Sequence, residues 1–176
     1  MVETAITLPV FLLVVFGIIE FGLIFRDNLT VANTTRDAAR AGSVMGNDPT
    51  ADSFLLDVVE ASSGAMKAQQ LNRIVVFKAT GPGSPVPPAC LAGPVTGLCN
   101  VYTGAQLSTV GPSNFGCGPS ALDRYWCPTT RVVRQKGPPD YLGVYVEADR
   151  PMVTGVLGRS FTLDDTYVLR LEPTDL

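Results

Sequence analysis

The sequence contains no histidine. That excludes a Ser–His–Asp triad, a Cys–His pair and every zinc site that needs imidazole. No two of its four cysteines have CxxC spacing, which removes the other common zinc pattern. It has no excess of basic residues: 13 Lys and Arg stand against 16 Asp and Glu. A phosphate-binding face needs the opposite balance, so nucleic acid is not an expected partner. There is no GxxxxGK[ST] loop, and GPGSP at 81–85 lacks that pattern. No carboxylate pair is singled out by spacing for glycoside chemistry. The expectation is a protein that is not an enzyme and holds no cofactor and no metal.

One long apolar run is present: ETAITLPVFLLVVFGIIEFGLIF, uncharged from Ala5 to Ile19 and interrupted only by Glu20 before Arg26. Residues 4–25 are long enough to cross a bilayer as a helix. A signal peptide would begin with basic residues and end at a small-residue cleavage site. Here nothing basic precedes the run, and it flows into more helix-compatible sequence, so a retained segment is expected. Arg26, Arg36 and Arg40 follow it, which by the positive-inside rule alone points the body toward the cytoplasm.

Helical character continues through RDNLTVANTTRDAARAGSVMG, where Asp37 can pair with Arg36 or Arg40. Gly46, Asn47, Asp48 and Pro49 stop it. The chain divides into 1–25, apolar all round; 26–46, an amphipathic continuation that must pack on the body; and 47–176, a globular head. Pro9 should bend the first part or leave one carbonyl free. Glu20 reads as the membrane or core boundary, or else as a partner for Arg26 or an N-terminal amine. Gly17 and Gly22 permit close helix approach, and Ala38, Ala39 and Ala41 suit helix-on-sheet packing.

In the head, Thr50 is placed to cap a helix with Phe54, Leu55, Val58 and Val59 on one face. NRIVVFKATG follows as a strand. About fifty residues, 80–130, then run without periodicity and hold Cys90, Cys99, Cys117 and Cys127. A loop of that length needs staples. Four cysteines fit three disulfide pairings, of which the short local loops Cys90–Cys99 and Cys117–Cys127 are preferred; four buried thiols are the other reading. Disulfides imply an oxidising compartment. Trp126 is expected over a disulfide.

TRVVRQ suggests a short strand. YLGVYVEAD alternates with Leu142, Val144, Val146 and Ala148 on one face, and SFTLDDTYVLRLEP alternates too. Glu147, Asp149, Asp164 and Asp165 are read as a solvated face rather than a calcium site. NLT and NTT at 28–30 and 33–35 match the N-glycosylation pattern by chance. The fold class is α+β: a long N-terminal helix packed on a small antiparallel sheet with a disulfide-stapled loop region.

A helix apolar first and amphipathic later, leading into an extracytoplasmic head, is the plan of type IV pilins. The stretches VETAITLPVFLLVVFGIIEFGLIF and NTTRDAARAGS resemble the TadE-like family of the tight-adherence (Tad/Flp) pilus systems, as does YLGVYVEADRPMVTGVLGRSFTLDDTYVLRLEP. The resemblance covers the first ~45 and last ~35 residues. It implies cleavage by a prepilin peptidase just before the apolar helix and delivery to a pilus assembly platform. It assigns Glu3 to setting the register of one subunit on the next. A carboxylate among apolar helices needs a cation, and a neighbour's α-amino group is the natural one. The family pattern has two more residues before this glutamate and a basic leader; such a leader restores the positive-inside rule with the head outside.

The resemblance implies a structural subunit that waits in the inner membrane and polymerises into a homo-oligomeric extracellular filament at the cell surface. Its helix core is Pro9, Phe11, Leu12, Phe16, Gly17, Phe21 and Gly22. A minor pseudopilin or membrane-anchored accessory factor is the alternative, and a membrane-tethered binding module using the 80–130 loop a second one.

Overall fold

The apolar run and the Ala-rich stretch after it form one helix, α1, Val2–Met45. At ~1.5 Å per residue it is about 66 Å long. It passes through Pro9, whose missing N–H lies near the helix start, and ends where Gly46 takes a left-handed turn (φ 56°) and donates its N–H to Gly42 O at 3.2 Å. The computed structural model describes residues 2–64, 66, 70–133, 137–153, 155 and 158–172, apart from the side chains of Val2, Glu3 and Ala5.

Burial divides α1. Glu20, Asp27, Val31, Thr34, Thr35, Ala38, Ala39, Gly42 and Ser43 form a buried stripe at three- and four-residue spacing. Every described side chain from Ile6 to Ile19 is exposed or only part-buried. The stripe needs small residues because the sheet comes close: a Cβ on Gly42 would meet Leu142 Cδ2 at 2.5 Å and Leu55 Cδ1 at 2.8 Å. Arg36 does not pair along the helix but lies over the Tyr167 ring, 5.6 Å from its centroid.

A second helix, α2 (Ala51–Ser62), packs beside α1. Thr50 occupies its N-cap position but makes no side-chain cap. Its hydroxyl is turned to Asp48 instead, whose Oδ1 accepts the Thr50 N–H at 2.7 Å and the Thr50 hydroxyl at 2.5 Å and so fixes the turn before the helix. The buried face is Ala51, Asp52, Leu55, Leu56 and Val59, while Phe54 is exposed.

The sheet has four antiparallel strands in the order β2-β1-β3-β4: β1 Leu71–Ala79, β2 Cys99–Tyr102, β3 Tyr141–Pro151 and β4 Ser160–Arg170. Ile74, Val76, Leu142, Val144, Val146, Ala148 and Leu163 face α1 and α2 and make the larger core. Val75, Phe77, Ala79 and Tyr145 face the other way, under the stapled loop with Cys90 and Cys99. Phe77 lies directly across from Gly143, where a Cβ would come within 2.2 Å of its ring. Only glycine lets the ring lie flat there.

Two expectations for the head are corrected. The fourth strand is Cys99–Tyr102 from within the long loop, not TRVVRQ. Residues 131–133 form no strand, Arg131 and Val133 are buried, and 134–136 lie outside the described residues. The loop also carries two short helices, α3 (Pro88–Ala92) and α4 (Gly104–Leu107). Four-residue strands in Gly/Pro-rich sequence are too short for alternation to reveal them.

Candidate functional site

The projecting half of α1 is the most unusual surface of the molecule. Ile6 (68 % exposed), Val10, Phe11, Leu13, Ile18, Phe21 and Phe25 stand out on all sides of the helix, with Leu12 and Phe16 somewhat less exposed. Nothing lies within 4 Å of where a Cβ on Gly17 or Gly22 would sit. Among the described residues this is the helix long and apolar enough to cross a membrane. Glu3 lies in its first turn, with its side chain outside the described residues.

At the root of the projection the chain does something the sequence did not advertise. The end of β3 and the connection after it grip α1 at three levels of one face. Glu20, 0 % exposed, accepts the Val153 N–H on Oε1 at 2.8 Å. Arg150 donates to the Leu23 carbonyl at 3.2 Å. Its guanidinium also pairs with Asp27, and both side chains are buried. Positions 20, 23 and 27 share a helix face, so the three contacts line up along ~10 Å of axis. Glu20 therefore marks where the head begins to cover the helix. It does not face Arg26, which bonds Asp27 at 2.9 Å. The signal was present: Glu20 and Asp27 are seven residues apart. What the sequence could not supply was the partner, 123 residues away from Asp27.

Inside the head a second polar cluster ties α2, β2 and the stapled loop together. Asp52 takes Arg131 on Oδ1 at 2.6 Å; its Oδ2 accepts Asn100 Nδ2 at 2.8 Å and the Tyr102 hydroxyl at 2.7 Å. Asn100 also pairs both ways with the Trp126 backbone, at 2.8 and 2.9 Å. The Arg131 guanidinium lies 4.4 Å from the Trp126 ring centroid, so the tryptophan carries a cation on its face. Burial pushes the Tyr102 phenol well above its ordinary range, and the Asp52 carboxylate that accepts its proton adds to the rise. All five members are buried. No substrate reaches them, and the cluster's chemistry is structural.

Disulfides join Cys90 to Cys99 and Cys117 to Cys127. Cys117 has a left-handed backbone (φ 65°), held by the buried Asp123 carboxylate, which accepts the Gly116 and Cys117 N–H groups at 3.0 and 2.9 Å. A cavity of about 290 Å³ between Ser113 and Ala121 is lined without an acid, a base or a thiol. The acidic residues of β3 and β4 are used locally: Glu147 accepts the Tyr145 hydroxyl at 2.9 Å, and Asp149 the Thr162 hydroxyl at 2.6 Å.

No curated protein and no solved structure matches the chain. Residues 1–40 match the family model described as TadE-like protein. The matched stretch is the projecting half of α1 and most of the packed half; the resemblance of the C-terminal strands lies outside it. The family is associated with the Tad pilus and is structural rather than catalytic. By its N-terminal helix this chain is similar to the TadE-like proteins of the Tad pilus, over residues 1–40.

Proposed function

We propose that the chain is a structural, pilin-like subunit that polymerises through α1 into an extracellular Tad-type filament, after waiting in the inner membrane. The observation that carries this reading is the helix from Thr4 to Ile19, apolar all round and uncovered by its own head. In water such surface costs ~25 cal/mol per Å², so it needs lipid first and neighbouring helices afterwards. Glu3, at the tip, is the group whose need for a cation sets the register between neighbours. Exported disulfides suit a head that faces outward. The proposed partners are further copies of the chain, the prepilin peptidase and the assembly platform.

The TadE-like description favours a second reading, a minor pseudopilin or anchored accessory factor, because that role is often given to the family. The test is the mass spectrometry of material sheared from cells and pelleted by ultracentrifugation, for wild type and Glu3→Gln. A filament subunit is abundant in the wild-type pellet and lost from it in the variant. A chain confined to the detergent-soluble membrane fraction in both overturns the filament reading and leaves the accessory factor.

A further inference from the structure

We infer that the head itself enters the membrane: the β3–β4 connection at Met152–Val153, with Phe21, Phe25 and Phe161 around the root of α1, is a lipid-contacting collar. The inference rests on the reading that α1 occupies a bilayer before assembly.

Length is the first argument. On this reading the Glu3 carboxylate stays at the headgroups and sets one boundary of the apolar tract. The uncovered stretch from Thr4 to Ile19 is 16 residues, ~24 Å of helix, whereas a hydrocarbon core of ~30 Å needs about 20 residues. Twenty residues from Thr4 reach Leu23. That is three residues, ~4.5 Å, beyond Glu20, where Val153 is docked. A tilted helix needs a still longer stretch, which sinks the root further. A bilayer that fits the helix therefore meets the tip of the head.

The composition of the tip is the second argument. Val153 is 70 % exposed although its backbone is anchored on Glu20. Phe161, which pairs with Arg150 across the hairpin end, is 46 % exposed, and Phe21 and Phe25 about 65 %. These exposed apolar side chains lie at the level where the head meets α1. The buried acids at the same level are paired inside the protein. Glu20 caps the Val153 N–H, and Asp27 pairs with Arg150. A backbone N–H and two acids that lipid would penalise are thus already satisfied. Arg26 and Arg159 are both exposed, and the Arg159 carbonyl accepts the Met152 N–H at 3.0 Å, so both cations lie at the level of the collar, where they suit lipid phosphates. The pattern is that of an interfacial contact, apolar side chains with cations among them.

The experiment places an environment-sensitive fluorophore on a single added cysteine, at Val153, at the exposed Val44 near the C-terminal end of α1, 24 residues beyond Glu20, or at Phe16 in α1. The native cysteines are all in disulfides and do not react. The full chain is reconstituted in phosphatidylcholine–phosphatidylglycerol vesicles containing lipids with spin labels near the headgroup or deep in the chains. The expected result is a blue-shifted Val153 probe quenched by the shallow label, a Phe16 probe quenched by the deep label, and a Val44 probe quenched by neither. A Val153 probe as water-exposed as the Val44 probe, with Phe16 still quenched, overturns the collar while the membrane helix stands. Loss of quenching at Phe16 as well overturns the membrane reading together with the collar.

Discussion

At the scale of single residues, the head is specified by buried polar groups as much as by its apolar core. Tyr102 shows how. Its hydroxyl is one of the donors that keep the Asp52 carboxylate tolerable with no exposure to water. Tyr102→Phe keeps the ring and removes that donor, which should lower stability by roughly 1.5–3 kcal/mol at neutral pH. The pH dependence tests the cause. The unfolded tyrosine titrates near its ordinary value of 10.0, and the folded one well above it. Between those values the folded chain holds a proton that the unfolded chain has lost, so stability falls as pH rises past 10. The variant lacks this loss, and its deficit should shrink above pH 10 by up to ~1.4 kcal/mol per pH unit. Urea unfolding of both proteins on either side of pH 10 reads it. A deficit that stays constant would place the Tyr102 contribution in packing instead. Tyr145 is also raised, by burial and by its bond to Glu147, but it is present in both proteins and cancels.

At the scale of elements, what could be read from the sequence depended on whether a signal is local. Period and composition are local. They are why the helix to Gly46 and the alternation of β3 and β4 are legible, and why Leu142, Val144, Val146 and Ala148 were assigned to the buried face they occupy. Thr50 does not cap α2, because its hydroxyl is taken by the Asp48 carboxylate two residues before it. β2 was hidden because four residues pair only with a strand over twenty residues earlier. Glu20 was read as a boundary; that it is one because Val153 donates to it needs the fold.

The grip of β3 on α1 makes a quantitative demand. Arg150→Ala leaves the buried Asp27 with only the exposed Arg26 as its cation, which should cost up to about 3 kcal/mol of head stability. Replacing both partners, Asp27→Leu with Arg150→Met, should recover most of it, since the pair's attraction mainly offsets its own desolvation. Denaturant midpoints of the two variants in one detergent decide the matter. Equal losses in both would mean that the pair positions the strand in a way apolar packing cannot replace.

At the scale of the whole molecule, the chain is two parts that share one helix without sharing stability. The head is built on α1 from Glu20 onward: the buried stripe starts there, and both the larger core and the Arg150 contacts lie on that half. The uncovered half before it touches none of this. Its role is solvent matching, first to lipid and then, in the proposed filament, to other helices. This separation is testable without any pilus. A chain beginning at residue 20 should unfold at the same denaturant concentration as the full chain, because it keeps every head contact, and should stay soluble without detergent. A chain beginning at residue 28 loses Asp27, the Leu23 carbonyl and the partly buried Ile24, and its midpoint should fall. Should the first truncation already lower the midpoint, the apolar half supports the head. Extracting a subunit from the bilayer would then strain the fold as well as the helix. An unchanged midpoint means that the helix can pass from lipid to a bundle of neighbours while the head remains as it is, which is what assembly of folded subunits requires.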